Sequence, residues 1–297
     1  MTSKKCKQSA FTLIELLVVI SVIAILLSVL LPALTKAKNA AAAVVCQTRQ
    51  KQWGVALQLY TTDFKGTYEP GPGGFPVGQP ERRWMELLLP YYTADQKGKD
   101  TASAQIRLCP KATIPQFDQQ GKQTRAAQPF TAWGIFAGDN TFQMEGHYGS
   151  FGMNWWLCNN TRTQVGANFY PGATNLSKLW RRAENVKTPF QVPAFADASY
   201  YGFWPEQYDF PPQNMQDVIP ARGNLHYPDG IKRVCVNRHD KYTMMVFVDG
   251  SAQKIPLRRL WNLKWHRNYD TSSMRSGKPF PSFSTPQQGE WMSGFPE

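Results

Sequence analysis

Residues Phe11 to Leu34, FTLIELLVVISVIAILLSVLLPAL, are apolar throughout except for small hydroxyl side chains and one ionisable group, Glu15. As a helix rising 1.5 Å per residue this run reaches about 36 Å, enough to cross a hydrocarbon layer of about 30 Å. A segment of this kind restricts the rest of the chain to one side of a bilayer. Lys4, Lys5 and Lys7 lie just ahead of it, so the positive-inside rule keeps the N-terminus cytoplasmic and sends residues from about Lys36 onward across the membrane. No second run of about 18 apolar residues follows, and one span is expected. A carboxylate within such a helix is costly in lipid and is retained where a cationic partner awaits it, which makes Glu15 a functional candidate.

An ordinary secretory signal peptide offers the simpler explanation, with the leader lysines as its basic start and Ala40-Ala41-Ala42 as a small-residue cleavage site. The apolar stretch exceeds the usual 7–15 residues of such peptides, roughly, and carries an acid that only hinders insertion. Both facts weigh against it.

The leader MTSKKCKQSA followed by Phe11-Thr12-Leu13-Ile14-Glu15 resembles the N-terminus of type IV pilins and of the pseudopilins of type II secretion. The resemblance implies that a prepilin peptidase cuts between Ala10 and Phe11 and methylates the new amino group of Phe11. Ala10 stands where the family usually has glycine. It further implies that Glu15 pairs with the Phe11 ammonium of a neighbouring subunit during assembly, a buried ion pair that needs both members. Pro32 matches a proline within the first helix of many members, where it removes a helical hydrogen bond and permits a bend. The partners implied are prepilin peptidase, other pilin or pseudopilin subunits, an inner-membrane assembly platform and membrane lipid, with no cofactor.

Beyond Pro32 the sequence stays rich in alanine and long-chain helix formers, and Trp53, Ala56, Leu57, Tyr60 and Phe64 share one helical face. The membrane helix is therefore expected to run on to Gly66, divided as residues 1–10 leader, 11–34 membrane half and 35–66 exported half. Its apolar face needs a cover, most simply an antiparallel sheet, which gives an α+β fold with a head at 67–297. Short helices are expected at Glu81–Tyr92 and Pro256–Arg267, and an extended segment at Arg107–Pro110. Strands are expected at Gln191–Asp197, Lys232–Asn237, Thr243–Asp249 and Ser251–Ile255. Asp249-Gly250 between alternating runs is a strong hairpin signal.

His239 and Asp249-Gly250, with nine residues between them, resemble the H-x9-DG motif of a subgroup of pilin-like proteins. A functional reading makes His239 and Asp249 a polar pair or metal site across the hairpin at 232–255. Turn chemistry alone explains the Asp-Gly, and that simpler reading is favoured, with His239 as a hydrogen-bonding loop residue. Cys6 leaves with the leader, while Cys46, Cys109, Cys158 and Cys235 remain. Their wide spacing lacks C-x-x-C, which argues against zinc and for one or two structural disulfides, with Cys46–Cys109 the preferred pairing.

No H-E-x-x-H, G-x-S-x-G or phosphate-binding glycine loop is present, and His147, His226, His239 and His266 show no ligand spacing, so an enzyme is not expected. Asp229, Asp240 and Asp249 amid Lys232, Arg233, Arg238 and Lys241 make a poor calcium cage. The formal charge of +12 suits acidic partners such as nucleic acid or anionic glycan. Arg258, Arg259, Lys264, His266 and Arg267, interleaved with Leu257, Leu260, Trp261 and Trp265, have a composition compatible with such binding. Amphipathic packing accounts for the same residues and is preferred. The expected molecule is a membrane-anchored subunit whose activity is assembly. The alternative is a membrane-tethered binding protein for anionic polysaccharide or DNA that does not polymerise.

Overall fold

The computed structural model describes residues 12–71, 83–93, 105–121, 124, 126–134, 148–160, 176–207, 209–217, 230–271 and 290–296. The leader, Ala10, Phe11, His147, His226 and Asp229 lie outside them. The chain divides into two units, Met1–Ala41 and Ala42–Glu297.

Helix α1 (Leu13–Asp63) runs through both. In the first unit its side chains are exposed and apolar, and the helix is long and apolar enough to cross a membrane. The few hydroxyls there are spent on the helix itself: Ser21 Oγ donates to Leu17 O (2.7 Å), Ser28 Oγ to Ile25 O (2.7 Å) and Thr35 Oγ1 to Leu31 O (2.9 Å). Such back-bonding satisfies these hydroxyls within the helix, where lipid offers no partner. Pro32 sits inside the helix and lacks the N–H that would reach the carbonyl of Ser28.

In the second unit Cys46, Gln50, Trp53, Gly54, Leu57, Tyr60 and Thr61 are buried, a stripe at intervals of three and four residues. Trp53 is fully enclosed by Trp84, Tyr92 and Phe195, with ring centroids 4.8, 4.6 and 5.8 Å away. Burial of such a ring contributes about 2–3 kcal/mol. Phe64 departs from the expected face: it lies past the helix end, half exposed, stacked on Tyr60 at 4.4 Å. The helix ends through left-handed Lys65 (φ 52°) and Gly66 (φ 80°), with Gly66 N donating to Thr61 O at 2.6 Å.

The expected sheet is present but larger and mixed. Its strands are β3 (Phe151–Asn154), β4 (Pro193–Asp197), β5 (Gly202–Phe203), β6 (Tyr242–Phe247) and β7 (Ala252–Pro256), in the order β5-β3-β4-β6-β7. All neighbours are antiparallel except β3 and β5. A separate antiparallel pair joins β1 (Trp133–Gly134) to β2 (Tyr148–Gly149). The fold is α+β. Every residue of β4 is buried, as a central strand covered on both faces requires. Gly54 lets α1 approach β6, since a Cβ there would stand 2.7 Å from Val246 Cγ2.

Asp249-Gly250 makes the β6–β7 turn, with Gly250 at φ 82° and Phe247 N donating to Ser251 O. Other expectations need correction. Lys232–Asn237 is not a strand: Ile231–Arg233 is a 3-10 turn, and Val234 and Cys235 N–H groups return to Ile231 O. Its β-branched residues are buried by packing without a ladder. The helix expected at Glu81–Tyr92 is two short pieces, α2 (Trp84–Leu87) and α3 (Leu89–Tyr92). Pro90 has no N–H to continue the first into the second. Arg107 ends a 3-10 turn, Gln105–Arg107, and Pro256–Arg267 holds a 3-10 segment at Leu257–Asn262.

Candidate functional site

At the start of α1, Thr12 and Glu15 form a reciprocal cap. Thr12 N and Oγ1 donate to Glu15 Oε2 at 2.8 and 2.7 Å, and Glu15 N reaches Thr12 Oγ1 at 3.4 Å. The Thr-x-x-Glu spacing is the capping-box pattern, and it satisfies helix-end donors that lipid cannot serve. Sequence reasoning treated Glu15 only as an intersubunit acid and passed over this local role. Its side chain lies on an exposed stretch of helix.

A second constellation lies inside the head unit. Phe195 and Asp197 point to the same face of β4 because side chains alternate along a strand. Two turns of α1 separate Trp53, which meets Phe195, from Cys46, which meets Asp197. The Cys46 thiol lies 3.5 and 3.6 Å from Asp197 Oδ1 and Oδ2. Cys109 enters from the segment after the Gln105–Arg107 turn, where its N–H donates to Ser150 Oγ. His239 enters from the loop before β6, where consecutive left-handed residues Asp240 (φ 51°) and Lys241 (φ 74°) reverse the chain. His239 Nε2 stands 3.3 Å from Cys109 Sγ and 3.3 Å from Asp197 Oδ2. The ligand-capable atoms of Cys46, Cys109, Asp197 and His239 all lie within 4.8 Å of one another. None of the four residues is more than 4% exposed.

The surroundings hold this cluster in charge balance. Met244 N donates to Asp197 Oδ2 (3.0 Å), and Arg238 Nη1 stands 3.3 Å from Oδ1. Arg238 is itself fully buried and spends its remaining donors on the carbonyls of Pro129, Thr131, Ser150 and Ala198. Burial pushes the Asp197 carboxyl up, but the His239 hydrogen bond and charge, Arg238 and the Met244 N–H together hold it below its ordinary range. Burial also raises the Cys109 thiol, yet hydrogen bonding from Cys46 and His239 brings it down to about 6. Burial lowers His239, and Asp197 and Cys109 outweigh it, lifting the imidazole to about 9. Burial and the neighbouring Cys109 raise the Cys46 thiol. The shifts of Cys109 and His239 run in opposite directions, each favouring the charged form of its group, beside the Asp197–Arg238 ion pair.

The arrangement is not a nucleophilic triad. A triad uses the two ring nitrogens separately, one toward the nucleophile and one toward the acid. Here Nε2 faces both, while Nδ1 is buried with no hydrogen bond among the described residues.

The sequence-derived pairing of His239 with Asp249 is not formed. Asp249 is exposed in the turn and accepts from Ser251 N (2.9 Å) and Oγ (2.7 Å), while the acid facing His239 is Asp197. All four cysteines described are free thiols. Cys158 donates to Glu69 Oε1 at 3.1 Å and Cys235 lies 3.8 Å from Met292 Sδ. Sequence reasoning missed Asp197 and Arg238; the only available signal was a polar residue closing an otherwise apolar strand. In the basic segment Leu257, Leu260, Trp261 and Trp265 are buried. His266 is buried against Glu206 at 3.2 Å, and Lys264 Nζ donates to Tyr269 O, so packing accounts for much of that composition.

Residues 5–31 match the family model of the prokaryotic N-terminal methylation motif. Comparison with curated proteins and with solved structures gives no match. The chain thus carries the methylation motif at the head of a long apolar helix, as a prepilin-like protein does.

Proposed function

We infer that the protein is a prepilin-like structural subunit, cut by prepilin peptidase between Ala10 and Phe11, N-methylated, and assembled through its apolar helix into a type II secretion pseudopilus or a type IV pilus-like filament. The observation that carries this reading is the exposed apolar first part of α1, from Leu13 to Leu34, with Glu15 as its one acid, next to a methylation motif. Apolar side chains in such number are stable only against lipid or against like helices. Glu15 then meets the Phe11 ammonium of a neighbour, and the subunit resides in a bacterial inner membrane with its N-terminus cytoplasmic and its head outside. Its activity is assembly and not catalysis; the buried Cys109 and His239 offer no reacting atom to a substrate. Mass spectrometry of membrane-extracted protein tests processing. A mass beginning at N-methylated Phe11 is expected; an intact Met1, or a start near Ala43, overturns the reading.

A further inference from the structure

We propose that Cys46, Cys109, Asp197 and His239 form a closed structural site for a zinc-class divalent cation inside the head. The argument is geometric. A tetrahedral zinc site with bonds of about 2.0–2.3 Å sets its donor atoms about 3.3–3.8 Å apart. The cluster's closest contacts are 3.3 Å between Cys109 Sγ and His239 Nε2, 3.3 Å between His239 Nε2 and Asp197 Oδ2, and 3.5 and 3.6 Å between Cys46 Sγ and the Asp197 oxygens. Those are close to the edges of such a tetrahedron, and every other separation in the cluster stays within 4.8 Å, so small side-chain shifts close the site.

Hydrogen bonding alone accounts poorly for this convergence. A single Nε2 proton can serve only one of the sulfur and oxygen atoms that it faces at equal distance. A Cys46–Cys109 disulfide would employ two of the four groups and leave a buried carboxylate and imidazole aimed at a neutral sulfur pair. A cation uses all four. Two thiolates with an imidazole and a carboxylate select zinc over calcium or magnesium, which take oxygen ligands. Four protein ligands in a fully buried setting leave no open position, so the site is structural and not catalytic.

Charge closes as well. Two thiolates and the Asp197 carboxylate oppose a dication and the Arg238 guanidinium, giving a neutral assembly. Loading exchanges the cation for the protons that the ligand groups carry, with no redox change. Asp197 is also fixed from behind by Arg238 and the Met244 N–H, the outer support that metal-ligating carboxylates receive. The ligands come from one helix, one strand and two loops, so the ion would tie α1 to the sheet independently of the processing at Phe11.

The test uses the detergent-solubilised full chain. Elemental analysis of the protein as isolated, and again after exposure to Zn2+ under reducing conditions, should give one zinc per chain. Cobalt in its place should show the sulfur-to-metal charge-transfer absorption of two thiolates and the visible bands of tetrahedral coordination. Cys158→Ser and Cys235→Ser should retain the metal, while Cys46→Ser and Cys109→Ser should each lower affinity at least a hundredfold. Wild-type protein that takes up no stoichiometric metal after reduction overturns the proposal. So does a cobalt spectrum without thiolate bands, or a Cys46–Cys109 disulfide in the metal-free native protein that reforms in the presence of zinc.

Discussion

Arg238 Nη1 stands 3.3 Å from Asp197 Oδ1 with neither side chain exposed to solvent, and the guanidinium is held by four carbonyls besides. Replacing one member of such a pair strands the other charge in a dry interior. Arg238→Met should therefore destabilise the head by about 3–5 kcal/mol. Urea unfolding followed by tryptophan fluorescence measures this, and a loss below about 1 kcal/mol would show that the pair contributes little.

Gly54 tests the closeness of α1 to the sheet. An alanine gains about 1 kcal/mol in intrinsic helix propensity, but its Cβ falls 2.7 Å from Val246 Cγ2. Overpacking of this kind costs about 1–3 kcal/mol, so Gly54→Ala should be net destabilising. In a Val246→Ala background the same change should turn neutral or stabilising. A double-mutant unfolding cycle shows whether that sign reversal occurs.

Glu15 serves its own helix start and, in the proposed assembly, a neighbour's amino group. Thr12→Val removes the hydroxyl half of the cap and should cost about 1 kcal/mol locally while leaving filament yield near normal. Glu15→Val should insert into membranes normally yet reduce subunit incorporation severely, because it strands the Phe11 ammonium. Equal yields from the two variants, read by quantitative immunoblotting of sheared filaments, would assign Glu15 to capping alone.

The basic segment should not bind acidic polymers. Arg258 Nη1 donates to Phe295 O (3.4 Å) and Lys264 Nζ to Tyr269 O, so part of its charge is tied to the protein's own backbone. Replacing Arg258, Arg259, Lys264 and Arg267 together by Gln should leave DNA and anionic-glycan binding at the background of the wild type, even at low salt. A salt-steep complex abolished by the four changes would instead reveal counterion release at this face.

The elements legible in the sequence are those whose physics is local. The apolar run that becomes the first part of α1, the stripe from Trp53 to Tyr60, and the Asp249-Gly250 turn each follow from spacing or turn chemistry within a few residues. Lys232–Asn237 misled because Val234 and Val236 satisfy a strand pattern while tertiary packing chose a 3-10 turn, with Arg233 placed over the rings of Tyr200 and Trp204 at 4.3 and 3.9 Å. The buried cluster was hidden for a related reason. His239 reads in the sequence as a hydrogen-bonding loop residue and the cysteines as disulfide candidates, because the four partners span 193 positions, from Cys46 to His239, and no short motif joins them.

The same Arg238 has a consequence for how the head folds. Its carbonyl partners belong to residues 129, 131, 150 and 198, which meet only after most of the chain has been placed. A guanidinium leaving water with only some of those acceptors in position is a buried charge short of partners, and its desolvation is uncompensated. Half-built arrangements around it are therefore high in free energy, and the side chain acts as a checkpoint. Burying Arg238 therefore ties the loops that carry these four carbonyls to one another.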